Sequence, residues 1–252
     1  MKLLIDIGNS RIKWACTDGE DLFATGARVW SPDSLDYLCE ENWAELAGLD
    51  SVWVVNVAGP EPASRLDAWF ETAHAIRPRY AAAAASACGV VNSYREPARL
   101  GADRFMALVG AWEMWQGAAC IVDCGTAITA DGLSAEGVYV GGVITPGLAL
   151  MQRSLAAHTH ALAMSTSRSV EICSLTTDDG IAAGCHYAAA GFIDRIHAEF
   201  QRRLGTDMHC VLTGGEASRI RPLLSVPHEV DSLLVLRGLA VYSAAADGTT
   251  GS

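Results

Sequence analysis

The stretch LLIDIGNS, residues 3–10, returns later in the chain as CIVDCGTA, residues 120–127. Each copy is an apolar run, then Asp-x-Gly, then a small polar residue. The residues that follow, RIKWACT at 11–17 and ITADGL at 128–133, can run back as a second strand. Each copy therefore reads as a hairpin whose tight turn carries an acid, Asp6 in the first and Asp123 in the second. Such an echo implies two related halves: a domain over 1–116, a second over 117–246, and a disordered tail at 247–252.

The segments around the two hairpins fill in the same plan. After the first, a strand is expected over 22–29, a helix over 34–46 and a β-branched strand over 51–57, with Gly59-Pro60 breaking the chain. Helical spacing covers 63–75 and 101–115, the latter with Phe105, Leu108, Val109 and Trp112 on one face. After the second, a strand over 137–144 leads through Thr145-Pro146-Gly147 into a helix ending near His158, and a long helix spans 178–204. CVLTGGEA, 210–217, reads as a strand, a glycine turn and a helix start, and DSLLVLRGLAVYSAA closes the chain as an apolar helix.

Charge and composition narrow the class. Among 252 residues, 18 Lys plus Arg stand against 29 Asp plus Glu, a formal charge of −11, which weighs against nucleic acid or an anionic membrane as partner. Half the residues are apolar and 19% charged, enough for a substantial core and too little polarity for extended disorder. No apolar run approaches the roughly 18 residues of a membrane span, and MKLLIDIGNSRIK is too polar for a secretory signal, so the cytoplasm is the expected compartment. The eight cysteines form no CxxC pair and are expected as reduced, mostly buried thiols. His158 and His160 lack a nearby carboxylate and are expected to be structural rather than metal ligands. The tryptophans fall to core or interface.

An acid at a strand end beside a glycine turn can hold a metal-bound phosphate. Glycine lets the backbone approach, free N–H groups face the anion, and the acid takes the cation. One Asp-x-Gly is usually only a turn. Two of them, with the Gly214-Gly215 turn before a helix, describe a nucleotide held in a cleft between duplicated domains. No GxxxxGK[ST] is present and no GxGxxG follows a strand, so neither of those phosphate-binding devices is in use.

Six segments, in order, resemble the type III pantothenate kinases of the acetate and sugar kinase, Hsp70 and actin superfamily. They are IDIGNSRIK at 5–13, NSYREPARLGADR at 92–104, VDCGTAITAD at 122–131, GGVITPGLALM at 141–151, TTDDGIAAG at 176–184 and LTGGEA at 212–217. Ser10 stands where the family usually has Thr, which keeps the hydroxyl. The resemblance implies an α/β fold of two duplicated ribonuclease H-like, actin-like ATPase domains with mixed sheets flanked by helices and the nucleotide in the cleft. It implies ATP-dependent phosphorylation of pantothenate to 4'-phosphopantothenate, the first step of coenzyme A biosynthesis. Mg²⁺ on the ATP, K⁺ or NH₄⁺ as a monovalent cation, and a homodimer come with it.

Residue by residue, the resemblance assigns ATP to Asp6, Ile7, Gly8, Asn9, Ser10, Arg11, Ile12 and Lys13 and to Thr126, and the monovalent cation to Asp123. It assigns pantothenate to Tyr94, Gly101, Ala102, Asp103 and Arg104, with Asp103 the general base and Arg104 a forked cation for the carboxylate. Thr177 would reach pantothenate from the neighbouring subunit, and Gly214 and Gly215 would border the adenine. Taken alone, Lys13 is a solvated strand lysine, Asp123 and Thr126 a structural turn, Asp103 a helix N-terminal acid and Thr177 a helix cap. Two other functions share parts of this pattern. A transcription accessory factor, as some relatives are described, needs a partner but no turnover. Another small-molecule kinase or phosphatase of the superfamily keeps both hairpins without the 94–104 segment. Asp6, Asp103, Arg104 and Asp123 occurring together favour the enzyme.

Overall fold

The computed structural model describes residues 1–158, 164–205 and 207–249, with only the backbone of Thr249. Its first elements are β1 (Lys2–Ile7), β2 (Arg11–Thr17), β3 (Leu22–Val29), α1 (Leu35–Trp43), β4 (Ser51–Asn56), α2 (Pro60–His74), β5 (Arg79–Tyr80), β6 (Ser86–Ala87), β7 (Val90–Asn92) and α3 (Ala102–Trp115). There follow β8 (Ala119–Cys124), β9 (Ala127–Leu133), β10 (Val138–Pro146), α4 (Leu148–His158), α5 (Thr177–Leu204), β11 (His209–Thr213), α6 (Ala217–Ile220), β12 (Glu229–Val230) and α7 (Leu234–Thr249). The chain divides into two units: residues 1–116, 137–139 and 233 onward, and residues 117–136 and 140–232.

In the first unit the strand order is β3-β2-β1-β4-β5, antiparallel across β3, β2 and β1 and parallel from β1 to β4 to β5. In the second the order is β10-β9-β8-β11-β12, with β8 antiparallel to β9 and parallel to β11, and β11 parallel to β12. Matching β1 with β8 makes the two orders the same. The repeated motif is thus a repeated topology, and Asp6 and Asp123 sit one residue before the end of the equivalent strand.

Strand alternation sorts the side chains of the first unit. Leu3, Ile5 and Ile7 face a core shared with Trp14, Val54, Trp43 of α1 and Phe70 of α2. Trp43 stacks on Phe70 at 5.6 Å and meets Trp14 edge-on at 5.7 Å. Lys2, Leu4 and Asp6 take the opposite face, where α7 packs on β1 and β4. Lys13, the cross-strand partner of Asp6, shares that face beside the turn. The helices α3 and α7 cross at glycines: a Cβ on Gly110 would lie 2.5 Å from the Leu234 carbonyl oxygen, and one on Gly238 would lie 1.8 Å from that of Met106.

This crossing explains two departures from the sequence expectation. The closing helix, assigned by sequence to the second domain through residue 246, is grouped with the first unit because it packs on α3. Asp247, expected in a disordered tail, is helical and pairs with Lys2 at 2.6 Å and Arg79 at 2.7 Å. The Lys2 ammonium bonded to it, with Arg79 beside it, holds its carboxyl below the usual range. A depressed value adds stability above the free carboxylate pKa of about 4 and loses it as pH falls. The rest of the expected tail, 250–252, lies outside the described residues, as does His160.

In the second unit Cys120, Val122 and Cys124 of β8 face a core with Leu212, Ala189 and Ile193. Asp123 takes the other face, with its strand neighbours Thr129 and Thr213. All eight cysteines are free thiols, six of them buried. The bond to Cys210 and burial push the Cys120 thiol up, and burial pushes Cys39 up to about 12, so both stay protonated packing groups. No helix among the described residues is long and apolar enough to cross a membrane.

Candidate active site

The first hairpin turn runs from Gly8 to Arg11 and is closed by the Gly8 N–H donating to the Arg11 carbonyl at 3.0 Å. Trp30 braces it from outside, its indole N–H donating to the Gly8 carbonyl at 2.8 Å. The Val57 N–H donates to the Ile7 carbonyl at 3.0 Å, which ties the turn's base to the end of β4. Asn9, Ser10 and Arg11 are left exposed on this fixed backbone, while Asp6 is 8% exposed. Ile7 and Ile12 are fully buried core residues, so of the segment assigned to ATP these two can offer main chain only.

The 92–104 segment is organised by a buried side chain, Asn92, to which the motif gave no role. Asn92 donates through Nδ2 to the carbonyls of Ala84 and Pro97, both at 3.1 Å, and accepts the Tyr94 N–H through Oδ1 at 3.0 Å. All three bonds go to backbone, so Asn92 fixes the path of the loop that leads to α3. Gly101 is the helix N-cap, and its missing side chain has a use: a Cβ there would lie 2.5 Å from Asp103 Oδ1. The Asp103 carboxylate folds back into that space and accepts the Arg104 N–H at 2.8 Å, at the N-terminal end of α3 where a negative charge is favoured. Arg104, 9% exposed, donates through Nη2 to the Tyr139 hydroxyl at 2.9 Å. Tyr94 stacks on Tyr139 with ring centres 6.2 Å apart. The structure thus brings Tyr94, Gly101, Asp103 and Arg104 into one cluster. Asn92 opens the 92–104 motif but had no role assigned to it, and Tyr139 lies outside all six motif segments.

The second hairpin is packed backbone against backbone. Gly125 donates to the Ala127 carbonyl at 3.1 Å, Gly147 to Thr126 at 3.0 Å, and Glu216 to Cys124 at 2.9 Å. Gly214, at φ +91°, leaves no room for a side chain: a Cβ would fall 2.4 Å from Asp123 Oδ1 and 2.5 Å from the Cys124 carbonyl. Its glycine character is therefore required by the Asp123 hairpin itself. Thr213 Oγ1 is buried and has no hydrogen-bond partner among the described residues, on the residue register-paired with Asp123. A carboxylate and a spare hydroxyl are hard oxygen donors of the kind an alkali cation takes, so these residues fit one.

At the start of α5 the capping role falls to Thr176, whose Oγ1 accepts the Asp179 N–H at 3.1 Å. This corrects the view of Thr177 as the cap. Thr177 is the first helical residue, exposed, and lines an apolar groove of about 690 Å³ with Pro146, Met151, Leu155 and Ile181.

Comparison with known proteins adds independent findings. A family model described as type III pantothenate kinase matches residues 2–199. A type III pantothenate kinase of Nitrosococcus oceani is 42% identical over 247 residues, covering 95% of this chain and 92% of the relative. Among solved structures, a protein from Campylobacter jejuni described as a Baf family transcriptional activator aligns with a TM-score of 0.58 at 17% identity, covering 99% of this chain and 100% of that one. The activator of a 2-hydroxyisocaproyl-CoA dehydratase from Clostridium difficile, solved with ADPNP, aligns at 0.56 and 13% identity, covering 100% and 97%. At such identities these two structures speak for the fold alone, that of the actin-like ATPases.

Proposed function

The chain belongs to the type III pantothenate kinase family, and from that premise we infer that it moves the γ-phosphate of ATP to the primary hydroxyl of pantothenate, the first step of coenzyme A biosynthesis. The observation that carries this on the chain's own residues is the Asp103–Arg104 pair at the start of α3, held by Gly101 and Tyr139. Pantothenate is an anion that ends in a primary alcohol. Arg104 offers a guanidinium fork for its carboxylate, Tyr94 a ring for its carbon chain, and Asp103 a carboxylate for the hydroxyl.

An alcohol is a weak nucleophile. Asp103 accepts its proton as the new oxygen–phosphorus bond forms and the bond to ADP breaks, so ADP leaves and no charge is stranded on the acceptor. Main-chain N–H groups of the first turn other than that of Gly8, which is spent on the Arg11 carbonyl, the Ser10 hydroxyl and Lys13 are suited to phosphate oxygens, and Thr126 is the phosphate contact that the family resemblance assigns in the second hairpin. Magnesium on the phosphates, when bound, neutralises charge that builds on the leaving ADP, and Asp6 is the carboxylate suited to hold it directly or through water. Asp123, with the Thr213 hydroxyl, is suited to a monovalent cation that orders the second turn.

A coupled assay tests this. ADP release from MgATP should require pantothenate, and replacing K⁺ by Na⁺ or choline at constant ionic strength should slow it about tenfold, the effect of about 1.4 kcal/mol in the barrier. Equal rates in the three salts would remove the cation from the account, and ADP release indifferent to pantothenate would remove the kinase.

We also propose a homodimer with shared sites. The groove beside Thr177 is apolar, the small residues Gly180, Gly184 and Ala188 line it along α5, and Tyr187 is 40% exposed nearby. Small residues let a second copy approach closely, and Thr177, released from capping by Thr176, has a hydroxyl to give to the partner's pantothenate. Sedimentation at micromolar concentration should show a dimer, and Thr177→Ala should raise the KM for pantothenate several-fold. A fully active monomer contradicts the shared site.

A further inference from the structure

We propose that Tyr139 is the positioning residue of the acceptor site, setting the pantothenate-facing geometry of Arg104 and Tyr94 without touching the reacting atoms. The proposal rests on the pantothenate kinase reading above and deepens it. Tyr139 is completely buried, a costly place for a phenol unless its hydroxyl is used. Its three functional parts each hold a different piece of the acceptor segment. The hydroxyl accepts from Arg104 Nη2 at 2.9 Å. The ring stacks on Tyr94, with planes 26° apart. The main-chain carbonyl accepts the Ser93 hydroxyl.

The strand beneath makes this placement rigid. Tyr139 is register-paired with Asn92 across the parallel β7–β10 contact, and Val91 donates its N–H to the Gly137 carbonyl at 2.9 Å. Asn92 in turn fixes the loop that carries Tyr94 and leads to Gly101. Arg104 and Tyr94 come from the two ends of this loop, so one residue that grips both sets their separation. A guanidinium fork recognises a carboxylate only when its plane is aimed, and the bond from Arg104 Nη2 to the Tyr139 hydroxyl helps to aim it. Phenylalanine would fill the same volume and keep the stack, but it would remove the bond that Tyr139 makes to the fork.

The test is Tyr139→Phe, with steady-state kinetics in both substrates. The KM for pantothenate should rise about tenfold, with kcat and the KM for ATP within twofold of the parent, the pattern of a lost ground-state orientation. A merely structural role would instead lower the melting temperature and move both substrates together. Ser93→Ala, exposed and harmless to packing, should raise the pantothenate KM about threefold in the same selective way, and it serves if the first variant does not fold. A pantothenate KM within twofold of the parent in the folded variant overturns the proposal alone. Failure of the parent itself to consume ATP in a pantothenate-dependent way overturns the underlying assignment, and is seen before any variant is made.

Discussion

Asp103→Asn is expected to fold, to bind ATP as the parent does, and to phosphorylate pantothenate about 10²- to 10⁴-fold more slowly, the cost of losing a general base. In barrier terms that is about 3 to 5 kcal/mol. The structure makes the comparison clean. Asp103 Oδ1 accepts the Arg104 N–H at 2.8 Å, and an asparagine carbonyl can make the same bond, so the start of α3 has no reason to unwind. Asparagine fits the space that Gly101 leaves and can still touch the substrate hydroxyl, yet it cannot take up a proton. The measurement is single-turnover product formation beside a melting curve with and without ATP. A folded variant within about threefold of the parent rate would make Asp103 a helix cap and no more.

Gly238→Ala should have the largest effect on stability. A methyl on Gly238 would sit 1.8 Å from the Met106 carbonyl oxygen and 2.9 Å from the Gly110 nitrogen, so it meets the backbone of α3 rather than a side chain that can swing away. Two effects oppose each other. Alanine is the better helix former by about 1 kcal/mol, whereas separating two packed helices loses contacts along their whole crossing, about 3 kcal/mol or more. Packing wins, and the melting temperature should fall by about 5 to 10 °C at two to four degrees per kcal/mol. Gly110→Ala, with its clash on Leu234, should behave alike. Since Asp103 and Arg104 lie in the first turn of α3, activity should fall with the folded fraction. A melting temperature at or above the parent's would show that α7 does not pack on α3 at this spacing.

The hairpins were legible because their signal is local. An apolar run, an acid and a glycine turn specify a strand pair within about fifteen residues, and finding the pattern twice pointed to two related halves, but the order of the strands around each hairpin was not in that signal. The long helices were legible from periodicity, as α5 shows: expected over 178–204, it spans Thr177–Leu204. What stayed hidden depends on partners far away in sequence. The strands β5 and β6 are two residues each and have no period to read. The partner of α7 was written only in two glycines, Gly110 and Gly238, which in sequence look like helix weaknesses.

The site divides in the same way. Asp103, Arg104 and Tyr94 were named from their motif, but Tyr139, whose hydroxyl holds Arg104, lies on another strand amid small and aliphatic residues and reads as ordinary core. Thr176 and Thr177 are neighbours of one kind, and only the hydrogen bond to Asp179 tells which caps the helix. The burial of Ile7 and Ile12 follows from alternation along β1 and β2, which limits their part in any phosphate site to the main chain.

The central claim is that phosphate goes to the hydroxyl of pantothenate. The most direct measurement incubates the purified protein with MgATP, K⁺ and pantothenate and weighs the acceptor by mass spectrometry, beside a pantothenate-free control. One phosphoryl group gained per ADP released, lost when pantothenate is omitted, is the result expected. ADP released at the same rate with or without pantothenate, with the acceptor's mass unchanged, would contradict it.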